Sequence, residues 1–100
     1  MSGYKIEFSH HAKNDIAEMI DYLSQFYTNT ALNKYDIIME SIGLLKDFPL
    51  MCGVYEKRPR YRKLVAEDYL IFYQVDEKKR TVRIYRVLYG RRDIRKILNL

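Results

Sequence analysis

The chain has 100 residues, a mass of 12.1 kDa and a formal net charge of +5, which leaves room for one domain over residues 1–100. Hydrophobic residues make up 48% and charged residues 31% of the chain, and this composition argues against disorder. No apolar run approaches the roughly 20 residues that span a bilayer, no signal-peptide pattern is present, and Cys52 is the single cysteine. We therefore expect a cytoplasmic protein with no membrane contact, disulfide, metal or cofactor.

The N-terminal residues predict a strand followed by a helix. Tyr4–Phe8 alternates apolar and polar side chains, which is typical of a short, half-buried strand. Ser9 follows as a helix cap, because its hydroxyl can accept from the free N–H groups at a helix start. Apolar residues then recur at helical spacing over about residues 10–26. We interpret Asp15 in this helix as an acid favoured by the helix dipole.

A second helix is predicted soon after the first. Residues 27–30 form a polar break that offers capping side chains, and the helical spacing continues from Ala31 to Phe48. Pro49 ends this helix, because proline does not continue a helix. A break this short predicts an antiparallel helical hairpin, which needs a sheet to cover its apolar side.

The second half predicts a loop, three strands and a short helix. Residues 49–60 are interrupted by proline and glycine and lack a periodic pattern. The predicted strands are Tyr61–Ala66, Tyr69–Val75 and Thr81–Tyr89. A tight turn at Glu67-Asp68 and a polar turn at residues 76–80 connect them. Gly90 ends the last strand, and Arg91–Leu98 predicts a C-terminal helix.

The order β-α-α-β-β-β-α predicts an α+β fold, with the helical hairpin on one face of an antiparallel sheet. On the last strand, the residues expected to face the helices are Val82, Ile84 and Leu88. Those expected on the open face are Arg83, Tyr85 and Tyr89. Arg86 fits neither set, so we expect it at the sheet edge or at a β-bulge.

Charge is divided unevenly along the chain. Residues 1–50 hold four Lys and seven acidic residues, whereas residues 51–100 hold fourteen Lys and Arg, six acidic residues and six of the ten Tyr. Basic and aromatic side chains at this density favour binding to single-stranded RNA or to an acidic or amphipathic protein segment. We expect them to converge on one exposed patch opposite the helical hairpin. The predicted target- or RNA-binding residues are Arg58, Arg60, Arg62, Lys63, Arg83, Tyr85, Arg91 and Arg92.

Several runs in the chain, in this order, resemble the RelE/ParE superfamily of bacterial type II toxin–antitoxin toxins, also called the plasmid stabilisation family. The N-terminal pattern is carried by Ser9, Ala12, Asp15, Ile16 and Tyr22. The more specific runs are Tyr61–Leu64, Tyr69–Val75 and Arg86–Ile94. The resemblance covers nearly the whole chain and implies a microbial-RNase-like toxin fold. It also implies a cognate antitoxin that is small and acidic and folds on binding.

The resemblance leaves three functions open. RelE-like members cut ribosome-bound mRNA, and here the catalytic residues would be Lys63, Tyr89 and Arg91. Leu70 stands where many ribonuclease members carry Arg, Tyr89 replaces a frequent His, and the last helix lacks their Tyr. These departures favour the ParE-like members, which inhibit DNA gyrase and thereby arrest growth. A non-toxic relative that only binds a partner or RNA is the third alternative.

Overall fold

The computed structural model describes residues 3–91 and 94–98, with the backbone alone for Arg95. Its elements in chain order are β1 (Lys5–Phe8), α1 (His10–Ser24), α2 (Thr28–Gly43), a 3₁₀ turn (Leu44–Lys46), β2 (Val54–Tyr55), β3 (Arg58–Ala66), β4 (Tyr69–Asp76), β5 (Thr81–Tyr89) and α3 (Ile94–Ile97). The fold is α+β, as predicted. No helix in the described part of the chain is both long enough and apolar enough to cross a membrane.

The five strands form one mixed sheet in the order β1-β5-β4-β3-β2. The prediction of a wholly antiparallel sheet is wrong, because β1 pairs parallel with β5. Ile6 lies opposite Val82 and Phe8 opposite Ile84 in this pair. Parallel pairing needs a crossover, and the connection here contains the two helices and then β2, β3 and β4. The apolar residues of β1 join the core that the helices cover.

The first helix begins where the sequence predicts. The Ser9 hydroxyl accepts from the Ala12 N–H at 3.0 Å and donates to the Tyr85 carbonyl at 2.6 Å, so one side chain both caps α1 and binds β5. α2 begins at Thr28, earlier than predicted, and Tyr27 precedes it without a side-chain capping bond. The predicted polar cap of α2 is therefore wrong, and the end of the predicted helix is a 3₁₀ turn.

The segment predicted as a loop over residues 49–60 contains β2 and the first residues of β3. Val54 pairs with Arg62 and Tyr55 with Arg58, so the ladder is irregular between them. This irregularity accommodates Pro59, which cannot donate a ladder hydrogen bond. The loop prediction fails because a two-residue strand has no periodic pattern.

A β-bulge in β5 changes which residues face the helices. Phe72 pairs with Arg86 and Tyr73 with Ile84, which leaves Tyr85 as the extra residue. One of the two positions predicted for Arg86 is therefore confirmed. The alternation is inverted beyond the bulge, so Val87 joins the helix-side core and Leu88 packs on the opposite face. The predicted side of Leu88 is wrong for this reason.

The sheet has an apolar cluster on each face. The larger cluster lies under the helices and includes Ile38, Ile42, Leu45, Ile71, Tyr73 and Ile84. The smaller one, on the opposite face, consists of Tyr61, Phe72, Leu88 and Leu98, with Ile94 and Ile97 packed against it. The second face is therefore partly covered by α3. This helix is a single turn, shorter than the predicted Arg91–Leu98; Arg91 lies in a turn, and residues 92–93 are outside the described residues.

Candidate functional site

Three predicted binding residues lie together at one end of the sheet. Arg60, Arg62 and Arg83 line an open cleft of about 890 Å³, together with Lys78 and Lys79 from the turn between β4 and β5. We call this the basic cleft. Its apolar lining includes Leu50, Val54 and Pro59, and its carboxylates are Glu7, Asp76 and Glu77. Five cations against three acids give a positively charged groove with apolar contact area.

The three arginines of the basic cleft are held to different degrees. Arg62 donates to the Cys52 carbonyl at 2.6 Å, which fixes its position beside the loop. Arg83 lies 3.8 Å from the Glu7 carboxylate, and about half of each side chain is exposed. The Arg60 guanidinium lies 5.8 Å from the centre of the Tyr61 ring, a cation–π contact. A pair as open as Arg83–Glu7 contributes little to stability, so Arg83 is available to a partner.

Lys63 and Tyr85 lie on the sheet face opposite the helices, beside an aromatic group. Tyr85 stacks on Tyr61 with ring centres 4.6 Å apart, and the Lys63 ammonium lies 5.5 Å from the Tyr55 ring. Burial, followed by the neighbouring Tyr85, raises the pKa of Tyr61. We call this group, Tyr55, Tyr61, Phe72 and Tyr85, the aromatic face.

The remaining predicted binding residues lie elsewhere. Arg58 donates to the Leu98 carbonyl and ties β3 to the end of α3. Arg91 is exposed in the turn after β5, at the opposite end of that strand from Arg83. Arg92 lies outside the described residues. The predicted residues therefore do not converge on one patch, because β5 carries Arg83 at its start and Arg91 beyond its end.

Tyr89 lies on the helix side of the sheet, and its predicted place on the open face is wrong. The bulge at Tyr85 turns it toward a cavity of about 570 Å³ between α1, α2 and the end of β5. We call this cavity the tyrosine pocket, because Tyr22, Tyr69 and Tyr89 form its walls. The rings of Tyr69 and Tyr89 are 5.6 Å apart.

The bulge that redirects Tyr89 is anchored by a buried ion pair. Arg86 donates to both Asp15 oxygens, at 2.8 and 2.9 Å, and the Val87 N–H donates to the same carboxylate at 3.0 Å. This carboxylate raises the pKa of Arg86. Asp15 is in the second turn of α1, so its interpretation as a helix-dipole acid is wrong. In the sequence, this pair is indicated by Arg86, a charged residue that fits neither the helix-facing nor the open-face set of the last strand.

A second ion-pair group connects α2 to the sheet at the same end. The Lys34 ammonium lies 2.6 Å from Glu67 and 3.0 Å from Asp68, in the turn between β3 and β4. The hydrogen bond that Lys34 donates to Glu67, opposed by partial burial, raises the pKa of Lys34. Across residues 3–91 and 94–98, no three His, Cys, Asp or Glu side chains are grouped so that they could hold a metal ion.

The chain matches one protein family and is similar to solved structures of toxin–antitoxin systems. Residues 6–94 match the family described as the ParE toxin of type II toxin–antitoxin system, parDE. Among solved structures, the chromosomal ParDE toxin–antitoxin system from P. aeruginosa matches with a TM-score of 0.72 and 18% identity, over 83% of this chain and 91% of that chain. The RelBE2 toxin–antitoxin complex from Mycobacterium tuberculosis matches with a TM-score of 0.65 and 21% identity, over 89% of this chain and 93% of that one. These two likenesses show the fold, and no curated protein matches the sequence.

Proposed function

Because the chain belongs to the ParE toxin family of type II toxin–antitoxin systems, we propose that it arrests growth by inhibiting DNA gyrase. The family match confirms the resemblance to RelE/ParE toxins inferred from the sequence. The chain is thus the toxin of such a system, and its partner is a cognate antitoxin. The target, the inhibitory surface and the acidic character of the antitoxin are proposals.

We favour gyrase inhibition over mRNA cleavage because the candidate catalytic residues lie far apart. Metal-free RNA cleavage needs a general base and a general acid within hydrogen-bond reach of the same phosphodiester. Lys63 lies on the aromatic face, whereas Tyr89 lines the tyrosine pocket on the other side of the sheet. A single nucleotide cannot contact both side chains, and this arrangement supports inhibition by contact over cleavage of mRNA.

The basic cleft is the surface that we assign to the target. Gyrase acts on DNA, so its complex with DNA presents phosphates and acidic protein groups to an approaching cation. Arg60 and Arg83 reach into the cleft from β3 and β5, and both are exposed. The apolar side chains of Leu50 and Val54 add contact area that a purely ionic surface would lack.

The same cleft suits the antitoxin. An acidic, amphipathic segment that folds on binding would pair its carboxylates with the arginines and place its apolar side chains on Leu50 and Val54. The antitoxin would then neutralise the toxin by covering the surface that binds the target. Neutralisation of this kind would need no change in the toxin fold.

Gyrase supercoiling with purified toxin tests the proposal. We expect inhibition, accumulation of cleaved DNA, and at least a tenfold loss of both effects in the Arg60→Ala/Arg83→Ala double variant. Lys13→Ala, which removes an exposed cation from α1, is the matched control and should inhibit like the wild type. Full gyrase activity at saturating toxin would overturn the proposal. Cleaved transcripts in primer extension from toxin-expressing cells would instead favour the RelE-like alternative.

A further inference from the structure

We propose that the tyrosine pocket is a second binding site, which accepts an arginine side chain from a partner protein. This site lies at the end of β5, whereas the basic cleft lies at its start. It therefore neither depends on the gyrase proposal nor uses the residues assigned to it.

The floor of the tyrosine pocket is apolar. Met19 from α1 and Val87 from β5 are 5% and 3% exposed, and the half-buried Leu23 lies beside them. The volume of about 570 Å³ is within the range of ordinary ligand cavities. It has room for a long side chain and part of the backbone that carries it. Such a floor would bind the aliphatic part of a long side chain.

The walls of the tyrosine pocket favour a cation. The Tyr69 and Tyr89 rings are inclined at 59° to each other, and both residues line the cavity. Tyr22 stands at the mouth and is 61% exposed, although its ring also contacts Phe26 at 5.3 Å. Aromatic ring faces attract guanidinium and ammonium groups, most strongly where water is partly excluded.

The charges around the tyrosine pocket leave one carboxylate for a ligand. Asp15 is bound to Arg86, and Lys34 is bound to Glu67 and Asp68, so each cation at the pocket already has acidic partners. Glu18 on the rim takes part in the hydrogen bonds of neither group, although its charge also helps to raise the pKa of Arg86. A planar guanidinium can stack on a tyrosine ring while donating two hydrogen bonds to a carboxylate, which an ammonium cannot do. The geometry therefore points to arginine rather than lysine.

The test uses three capped tripeptides, acetyl-Ala-Xaa-Ala-amide, in which Xaa is arginine, lysine or citrulline. Each peptide is titrated into isotope-labelled toxin and followed by the backbone amide signals in NMR spectra. We expect the arginine peptide to shift the signals of Leu23, Val87 and Tyr89 in a saturable way. The citrulline peptide, which has the same shape without the charge, should bind at least tenfold more weakly, and the lysine peptide should fall between them.

Two variants locate the binding. Glu18→Gln should weaken the arginine peptide at least tenfold, whereas Glu40→Gln, at an exposed position on α2, is the matched control and should bind it normally. Tyr22→Ala, an exposed change that the fold should tolerate, should also weaken it. Equal binding of arginine and citrulline peptides, unchanged binding by Glu18→Gln, or shifts confined to the basic cleft would each overturn the proposal.

Discussion

The basic cleft and the tyrosine pocket lie at opposite ends of β5 and hold their charges in different ways. At the pocket, the side chains of Asp15 and Arg86 are 6% and 16% exposed and their atoms meet at 2.8 Å. At the cleft, those of Glu7 and Arg83 are 44% and 53% exposed and lie 3.8 Å apart. Removing one partner of the first pair leaves a buried charge unpaired, whereas the second pair leaves its arginine available for binding. Removing a charge at the pocket should therefore destabilise the protein. Removing one at the cleft should instead reduce toxicity and leave the stability nearly unchanged.

Removing the buried acid should have the largest effect. We expect Asp15→Ala to lower the free energy of unfolding by about 3–5 kcal/mol, because Arg86 and the Val87 N–H then lose their buried partner. Urea unfolding followed by circular dichroism measures this. Asp21→Ala, at an exposed position on the same helix, is the matched control and should change stability by less than about 0.5 kcal/mol. A loss below about 1 kcal/mol for Asp15→Ala would contradict the structural role of the pair.

The buried Tyr73 should make the stability of the protein depend on pH in the alkaline range. Tyr73 is fully buried and pairs with Arg62, a cleft residue, across β3 and β4. Burial raises the pKa of its phenol above the ordinary value of 10, which only the unfolded chain retains. The contribution of this phenol to the free energy of unfolding is therefore fully present below pH 10. It should fall by about 1.4 kcal/mol per pH unit as the pH rises above 10.

Urea unfolding at pH 9 and pH 11 measures this dependence. The Tyr73→Phe variant should be less stable at pH 9, by about 1 kcal/mol, because it loses the hydrogen bond to the Pro49 carbonyl. It should nevertheless lose less stability than the wild type between the two pH values. Tyr27→Phe, at a position 71% exposed, controls for the substitution itself. An identical loss in Tyr73→Phe and wild type would show that other groups cause the alkaline effect.

The smallest change in stability should accompany a large change in toxicity. We expect Arg83→Ala to alter the free energy of unfolding by less than about 1 kcal/mol, because its ion pair is long and exposed. Growth of cells after induction should recover, because the basic cleft loses one of its cations. Lys5→Ala, on the neighbouring strand, should remain toxic. A destabilised Arg83→Ala protein would show that the two ends of β5 do not differ as described.

Local patterns in the sequence predicted the elements whose signals are local. The Ser9 cap, the two helices and the strands on either side of the Glu67-Asp68 turn depend on residues close in the chain. The parallel pairing of β1 with β5 joins distant segments, which alternation in either strand cannot specify. β2 was missed because its two residues pair irregularly with β3.

The candidate site was predicted less completely than the fold because one bulge invalidates a strict two-residue period. Up to Ile84 the predicted sides of β5 are observed, and beyond Tyr85 they are inverted. The sequence marked the place through Arg86 but did not identify its partner, since Asp15 lies far away in the chain. The tyrosine pocket follows from the same inversion, so pattern analysis placed Tyr89 on the wrong face.

The pairing of β1 with β5 also bears on the order in which the toxin is assembled during translation. Ile6 and Phe8 leave the exit tunnel before Thr81–Tyr89 and find their neighbouring strand only after that segment has been synthesised. Glu7 and Arg83, which face each other in the cleft, meet at that same late moment. A nascent chain therefore completes the basic cleft only once β5 has been synthesised, and the surface that we propose for target binding is incomplete until then.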